Sequence, residues 1–223
     1  LRDSLNLVGG LSESLNFTND SSIAATQNIL LDGLSLGTDQ TLTLSATGYV
    51  NQTGTNPAIA KEINITAGTG IGVDQPLQTK TSKTTLKTTK GNIQISNDSS
   101  DLQVNAKALG NNAQISVEQS GNLLVNAAQG SGKVILHANN GTLNDSANAI
   151  IQGNALDAKG ISIGSEENAF DTKIQGDNVQ LNATSGSINY SNTGNITGTG
   201  LNATAAGDMN ISNTGNVAFG TLS

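Results

Sequence analysis

The feature that most constrains this chain is a recurrence, about every 21 residues, of short segments in which apolar and polar residues alternate. Ser191-Asn192-Thr193-Gly194-Asn195 returns as Ser212-Asn213-Thr214-Gly215-Asn216 after 21 residues, and Leu181-Asn182-Ala183-Thr184 returns as Leu201-Asn202-Ala203-Thr204 after 20. The difference of one residue predicts an insertion in the turn near Ala206-Gly207. Leu44, Ile65 and Leu86 are spaced by 21, as are Ile115 and Leu136, and Leu102-Gln103-Val104-Asn105-Ala106 matches Leu123-Leu124-Val125-Asn126-Ala127 at the same offset. Within one period Val179, Leu181 and Ala183 alternate with Gln180 and Asn182. Strict alternation is the signature of a half-buried strand, because successive side chains point to opposite faces. No segment keeps a helical period; the nearest, 147–158, is interrupted by Gly153.

A repeat of this length with up to three short strands is one coil of a solenoid, and each coil buries its inward residues only by stacking on its neighbours. The expected fold is all-β, a right-handed parallel β-helix (β-solenoid) of about 21 residues per coil and roughly ten coils. At ~4.8 Å per coil that makes a rod of about 50 Å. Residues 1–223 are read as a single β-helix segment, a fragment of a longer repeat shaft, because bare ends expose unpaired strand edges. Gly91-Asn92-Ile93, Gly121-Asn122-Leu123, Gly194-Asn195-Ile196 and Gly215-Asn216-Val217 are read as corners leading into strands. Gly adopts φ > 0 there freely and Asn tolerates it.

Composition fits a thin core. Asn, Gly, Thr and Ser supply 102 of 223 residues, while Phe17, Tyr49, Phe170, Tyr190 and Phe219 are the whole aromatic set. Such a polar bias suits disorder, yet only 12% of residues are charged and the apolar alternation persists along the chain. There is no Cys, so stability must come from backbone ladders and stacked side chains. A net charge of −7 disfavours nucleic acid as a partner. No apolar run approaches a membrane span, and the opening Leu1-Arg2-Asp3 is read as a cut from a longer protein and not as a signal peptide.

Chemistry-bearing residues are few. The one His, His137, sits between Leu136 and Ala138; with those inward it faces solvent, a plain surface residue rather than a triad member. One His and no Cys leave no zinc set, and the Gly-Gly-x-Gly-x-Asp calcium nonapeptide is missing. Carboxylate pairs that could cleave a glycan are Asp98 with Asp101, Asp171 with Asp177, and Glu166 with Glu167. None comes with an aromatic platform or an Arg/Lys cluster, and 97–101 reads as a turn. Lys80, Lys83, Lys87 and Lys90 form the local exception to the acidic balance, a weak patch for an anionic ligand. No aromatics interleave them. No catalytic residue, cofactor or metal is expected.

The repeated Gly-Asn-Ile/Val turns, the Leu-Asn-Ala strands and the run Gly160-Ile161-Ser162-Ile163-Gly164-Ser165 resemble the repeat region of the filamentous haemagglutinin family. Those are large exoproteins that Gram-negative bacteria export by two-partner secretion. The resemblance implies a secreted or cell-surface structural shaft serving adhesion, biofilm or contact-dependent interaction. It also implies an outer-membrane transporter as partner during secretion, host or bacterial glycans or proteins as partners on the surface, and no membrane insertion. The alternatives are a carbohydrate-active β-helix enzyme, which needs a groove lined by carboxylates with Arg or aromatic residues, and a passive spacer without ligand.

Overall fold

A computed structural model describes the backbone of Ser4–Val8 and Leu15–Phe17, and all of residues 19–37 and 39–223; Leu1-Arg2-Asp3 and the Phe17 side chain lie outside the described residues. Among the described residues there are 23 strands and no helix. The strands pair in parallel with the strand about one coil further on, so that a single sheet winds into a β-solenoid of about ten turns with about 21 residues per coil. No helix is long and apolar enough to cross a membrane.

The register shows why the alternation recurs. Ile29, Val50, Ile71, Ile93, Ile115, Val134, Leu156, Val179 and Leu201 are successive Cα partners, one per coil, and all are buried. Leu77, Ile95, Val117, Leu136, Ala158, Leu181 and Ala203 form a second inward column. Leu44, Ile65, Leu86, Ala106, Ala128 and Ile151 form a third. These Leu, Ile, Val and Ala side chains pack on one another above and below, which fills a narrow core with few aromatics. Phe219 and Leu222, register partners of Leu201 and Ala203, are 59% and 48% exposed.

Early coils carry three short strands, as in Thr41–Ala46, Tyr49–Gln52 and Ala58–Ile59. From Ile93–Asn97 onward the second and third merge, since Ile93 pairs with Ile71 and Ile95 with Leu77.

Two of the sequence repeats do not coincide with structural equivalence. Ser191, Asn192 and Thr193 do pair with Ser212, Asn213 and Thr214. Leu181-Asn182-Ala183-Thr184, however, does not lie over its copy: Val179 pairs with Leu201 and Leu181 with Ala203. The insertion falls opposite the step between Gly176 and Asn178, in the excursion at Thr197–Thr199, where Gly198 and the following Gly200 have φ of 61° and 78°; the turn at Ala206-Gly207 is instead one residue shorter than its partner, since Ala183 pairs with Ala205 and Ile188 with Met209. The spacing of Ile115 and Leu136 also misleads, because Ile115 pairs with Val134 and Val117 with Leu136. Leu102 and Val104 do meet Leu123 and Val125, but a bulge then sets Asn105 against Ala127. Hydrophobic identity therefore survives at a position two residues away, which keeps the same face inward.

The corners behave as expected in position but only partly in cause. Gly194 and Gly215 have φ of 153° and 130°. At Gly91 a side chain is barred instead by contact, since a Cβ there would overlap the Thr69 carbonyl of the preceding coil. Asn does not serve by adopting φ > 0: Asn112 is the one non-Gly residue that does so among those described. Its side chain instead caps the next coil. Asn28 Oδ1 accepts from Tyr49 N at 3.0 Å, Asn92 Oδ1 from Gln114 N at 2.9 Å, Asn122 Oδ1 from Thr142 N at 2.9 Å and Asn195 Oδ1 from Asn216 N at 2.9 Å. Each bond satisfies a backbone donor where the ladder is interrupted by a corner.

Two inward asparagines do the same inside the core. Asn97 Oδ1 accepts from Thr81 N at 3.0 Å while its Nδ2 donates to Thr81 O at 3.0 Å and to Gln119 Oε1 at 2.7 Å. Asn192 repeats the arrangement with Ile174 N, Ile174 O and Asn213 Oδ1 at 2.7, 3.2 and 2.7 Å. A side-chain amide that engages both backbone groups of one residue stands in for a missing strand partner, so the buried polar atoms are matched.

Core stacking predicts a positional gradient of stability. Ile93→Ala, fully buried in mid-column, should lower the unfolding free energy by about 2–5 kcal/mol, while Phe219→Ala, at a largely exposed ring, should cost this chain less than about 1 kcal/mol. Urea unfolding followed by circular dichroism measures both.

Candidate functional site

His137 faces outward, as the alternation predicts, but it is not a plain surface residue. It lies on Lys133–Ala138, and register places Glu118 beside it on one adjacent coil and Lys159 on the other. Its Nδ1 is 2.8 Å from Glu118 Oε1 and its Nε2 is 3.2 Å from Asp157 Oδ1, while Lys133 Nζ is 2.7 Å from Asp157 Oδ2. The hydrogen bonds to Asp157 and Glu118 outweigh the opposing effect of burial and raise the imidazole to about 9. The same bond from His137, reinforced by Lys133, holds Asp157 down to about 2 against its own burial. Burial would raise Glu118, but the hydrogen bond and charge of His137 more than offset it and leave it below its usual range. At neutral pH the imidazolium therefore bridges two carboxylates on different strands. Both ring nitrogens are engaged by carboxylates, so neither is free to take a proton from a nucleophile. The cluster is a clamp between coils.

Among the described residues, Asp145 is the one carboxylate on an inward column. Its Cα follows Leu42, Ile63, Thr84, Val104 and Val125, and it is 5% exposed. Burial pushes its carboxyl up to about 6, with the charge of nearby Asp171 adding to the effect. Backbone and side-chain bonds partly offset the cost: Asp145 Oδ2 accepts from Asp171 N at 3.3 Å, and its Oδ1 and main-chain O accept from Asn168 Nδ2 at 3.2 and 3.0 Å. Asp145 thus ties down the loop that leaves the coil at Gly164 and rejoins it at Phe170.

Glu166 and Glu167 are exposed on that loop. Asp98 is an exposed turn residue, and Asp101 begins the next strand, where the Asn122 amide holds its carboxyl below the usual range at 2.9 Å. Asp171 and Asp177 are exposed on one long strand, with Asp171 coupled to Asp145 rather than to Asp177. The aromatic rings of Phe170 and Tyr190 are buried, the Tyr190 hydroxyl 2.8 Å from Thr172 Oγ1, so neither offers a sugar platform.

The four lysines do not form one patch. Lys80 ends Leu77–Lys80, and Lys90 lies beyond the end of the next strand, Lys83–Thr88. Lys83 and Lys87 share the outer face of Lys83–Thr88, and Lys83 is 3.2 Å from Glu62 of the preceding coil. Sequence reading missed the neighbour that matters: Lys87 pairs with Lys107, twenty residues on. The outward column then continues through Gln129 and Gln152 to Lys173. Around its far end lies a polar groove of about 550 Å³ lined by Ser131, Gln152, Asn154, Lys173, Gln175 and Thr193, with glycines but no carboxylate. Only a coil-to-coil register, invisible in linear spacing, brings these side chains together.

No protein-family model, curated protein or solved structure matches the chain.

His137 and Asp145 both predict stability that falls as pH rises, each in its own pH window. His137 has its folded value raised, so its contribution is complete below about 6.5 and is lost as pH climbs through about 9. The parent chain should lose melting temperature between about pH 7 and 10, and His137→Gln should remove that fall. Asp145 also has its folded value raised, so stability falls as pH rises from 3.8 and the cost of its ionised form is complete above about 6. Asp145→Asn should raise stability at pH 8 by up to about 3 kcal/mol and leave it unchanged at pH 4. Thermal melts across pH measure both variants.

Proposed function

We propose that the chain is a structural shaft of a large secreted bacterial surface adhesin, with no catalytic role of its own. The observation that carries the reading is the unbroken inward column from Ile29 to Leu201, which spreads stability evenly along a rod instead of concentrating it around a pocket. A solenoid of this kind extends by adding coils, so it sets distance, and a rod held by many small equal increments resists local loss. The resemblance of its Gly-Asn corners and strand motifs to filamentous haemagglutinin repeats supports export by two-partner secretion through an outer-membrane transporter of a Gram-negative bacterium. The rod's outer faces are then available to surface glycans or proteins in adhesion and biofilm. The engagement of both His137 nitrogens and the absence of a carboxylate from the polar groove favour this reading over a carbohydrate-cleaving enzyme.

In the bacterium that carries it, the chain should be labelled by antibody on intact cells and removed by external protease. Deleting the cognate outer-membrane transporter should abolish surface label and leave the chain in the periplasm. Retention in the cytosol with the transporter present would overturn the reading.

A further inference from the structure

We propose that the outward column Lys87–Lys107–Gln129–Gln152–Lys173 and the groove at its end form a track for a linear polysaccharide whose carboxylates are separated by uncharged rings. This goes beyond the shaft reading, which requires no ligand.

The geometry comes first. The five residues are successive register partners, one per coil, on an outer face. Strand spacing puts about 4.8 Å between neighbours, so the row runs parallel to the rod axis for roughly 19 Å. Lys87, Lys107, Gln152 and Lys173 are exposed and Gln129 is half-buried. All five stand on strands whose opposite faces are locked into the core, so the row is positioned before a ligand arrives.

The charges come second. In a chain of net charge −7, Lys87, Lys107 and Lys173 make no ion pair or side-chain hydrogen bond among the described residues, unlike Lys83 with Glu62 and Lys133 with Asp157. They are free to meet an anion. Between Lys107 and Lys173 stand two glutamines, which leaves a gap of roughly 14 Å between cations. A densely charged polymer would find too few partners there. It would also meet Asp171, which is exposed two residues before Lys173 and lines an adjoining groove with Lys173, Ser191 and Thr193. Sparse carboxylates fit this row better than dense sulfates.

The uncharged groups come third. Gln152, Asn154 and Gln175 each present both a donor and an acceptor, and Thr193 adds a hydroxyl, within one groove of about 550 Å³; the Ser131 hydroxyl there is held by Gly110 O and Ala113 N. Such groups match the hydroxyls and amides of sugar rings. No aromatic side chain lines this groove, so ring stacking does not supply affinity there. Recognition must rest on hydrogen bonds and charge spread over several coils, and each contact is weak.

The test titrates the whole chain with a non-sulfated oligosaccharide of alternating uronate and N-acetylhexosamine, ten rings long, followed by amide chemical shifts and calorimetry. Binding is expected, weakened by added salt. Lys107→Gln and Lys173→Gln should each weaken it about two- to fivefold, and Gln152→Ala should do likewise. Lys83→Gln, which removes a lysine of another column, should leave affinity unchanged. Unchanged circular dichroism checks the fold of each variant. Neutral dextran should not bind. Absence of binding to the uronate probe at millimolar concentration would overturn the proposal. So would tighter binding of dextran sulfate that Gln152→Ala does not affect, or an equal loss in Lys83→Gln, because either would mean diffuse charge attraction without a track. None of these outcomes bears on where the chain is displayed, which the transporter deletion decides separately.

Discussion

Each coil of this protein leaves its inward residues bare unless another coil lies on them, and that single dependence organises the rest. A column such as Ile29 to Leu201 works because parallel register sets like on like at the strand spacing. The same register pairs the backbone groups of neighbouring coils, so core burial and backbone satisfaction are one event. A chain with few aromatics can afford this arrangement because no side chain must reach across a wide interior. Leu, Ile, Val and Ala span the distance between opposing faces, and the large rings of Phe170 and Tyr190 are register partners on adjacent coils.

The constraint also explains where polar residues enter the interior. A strict column tolerates a polar side chain only if that side chain continues the ladder. Asn97 and Asn192 meet the condition by bonding both backbone groups of a residue beside them and the amide of the coil above. Asp145 meets it less completely. It secures Asn168 and Asp171 N, but a carboxylate in a column of Val and Ile bears a desolvation cost that two or three bonds do not cancel. The loop it anchors is thereby coupled to a group that titrates near pH 6.

The period and the alternation were legible from residues such as Leu44, Ile65 and Leu86, which are true partners at 21. Register was not legible. The Leu181 and Leu201 repeat and the Ile115 and Leu136 spacing both point to pairings that the solenoid does not make, because a slip of two residues preserves the inward face and costs little when Leu, Val and Ala are interchangeable in the column. The abundance of Asn was legible as corners but not as caps, since an amide that reaches 21 residues onward leaves no local signal.

Function on such a surface is written across coils and not along the chain. Lys80, Lys83, Lys87 and Lys90 are close in sequence, yet a strand sends Lys83 and Lys87 to one face, and Lys80 and Lys90 fall outside that strand at its two ends. Lys87 and Lys107 are twenty residues apart and adjacent. His137 illustrates the same rule with opposite sign: linear context makes it a lone surface residue, whereas its real neighbours, Glu118 and Asp157, come from the coils on either side. In a solenoid the unit of recognition is therefore the outward column. A lysine cluster in the sequence matters only to the extent that register converts it into a row.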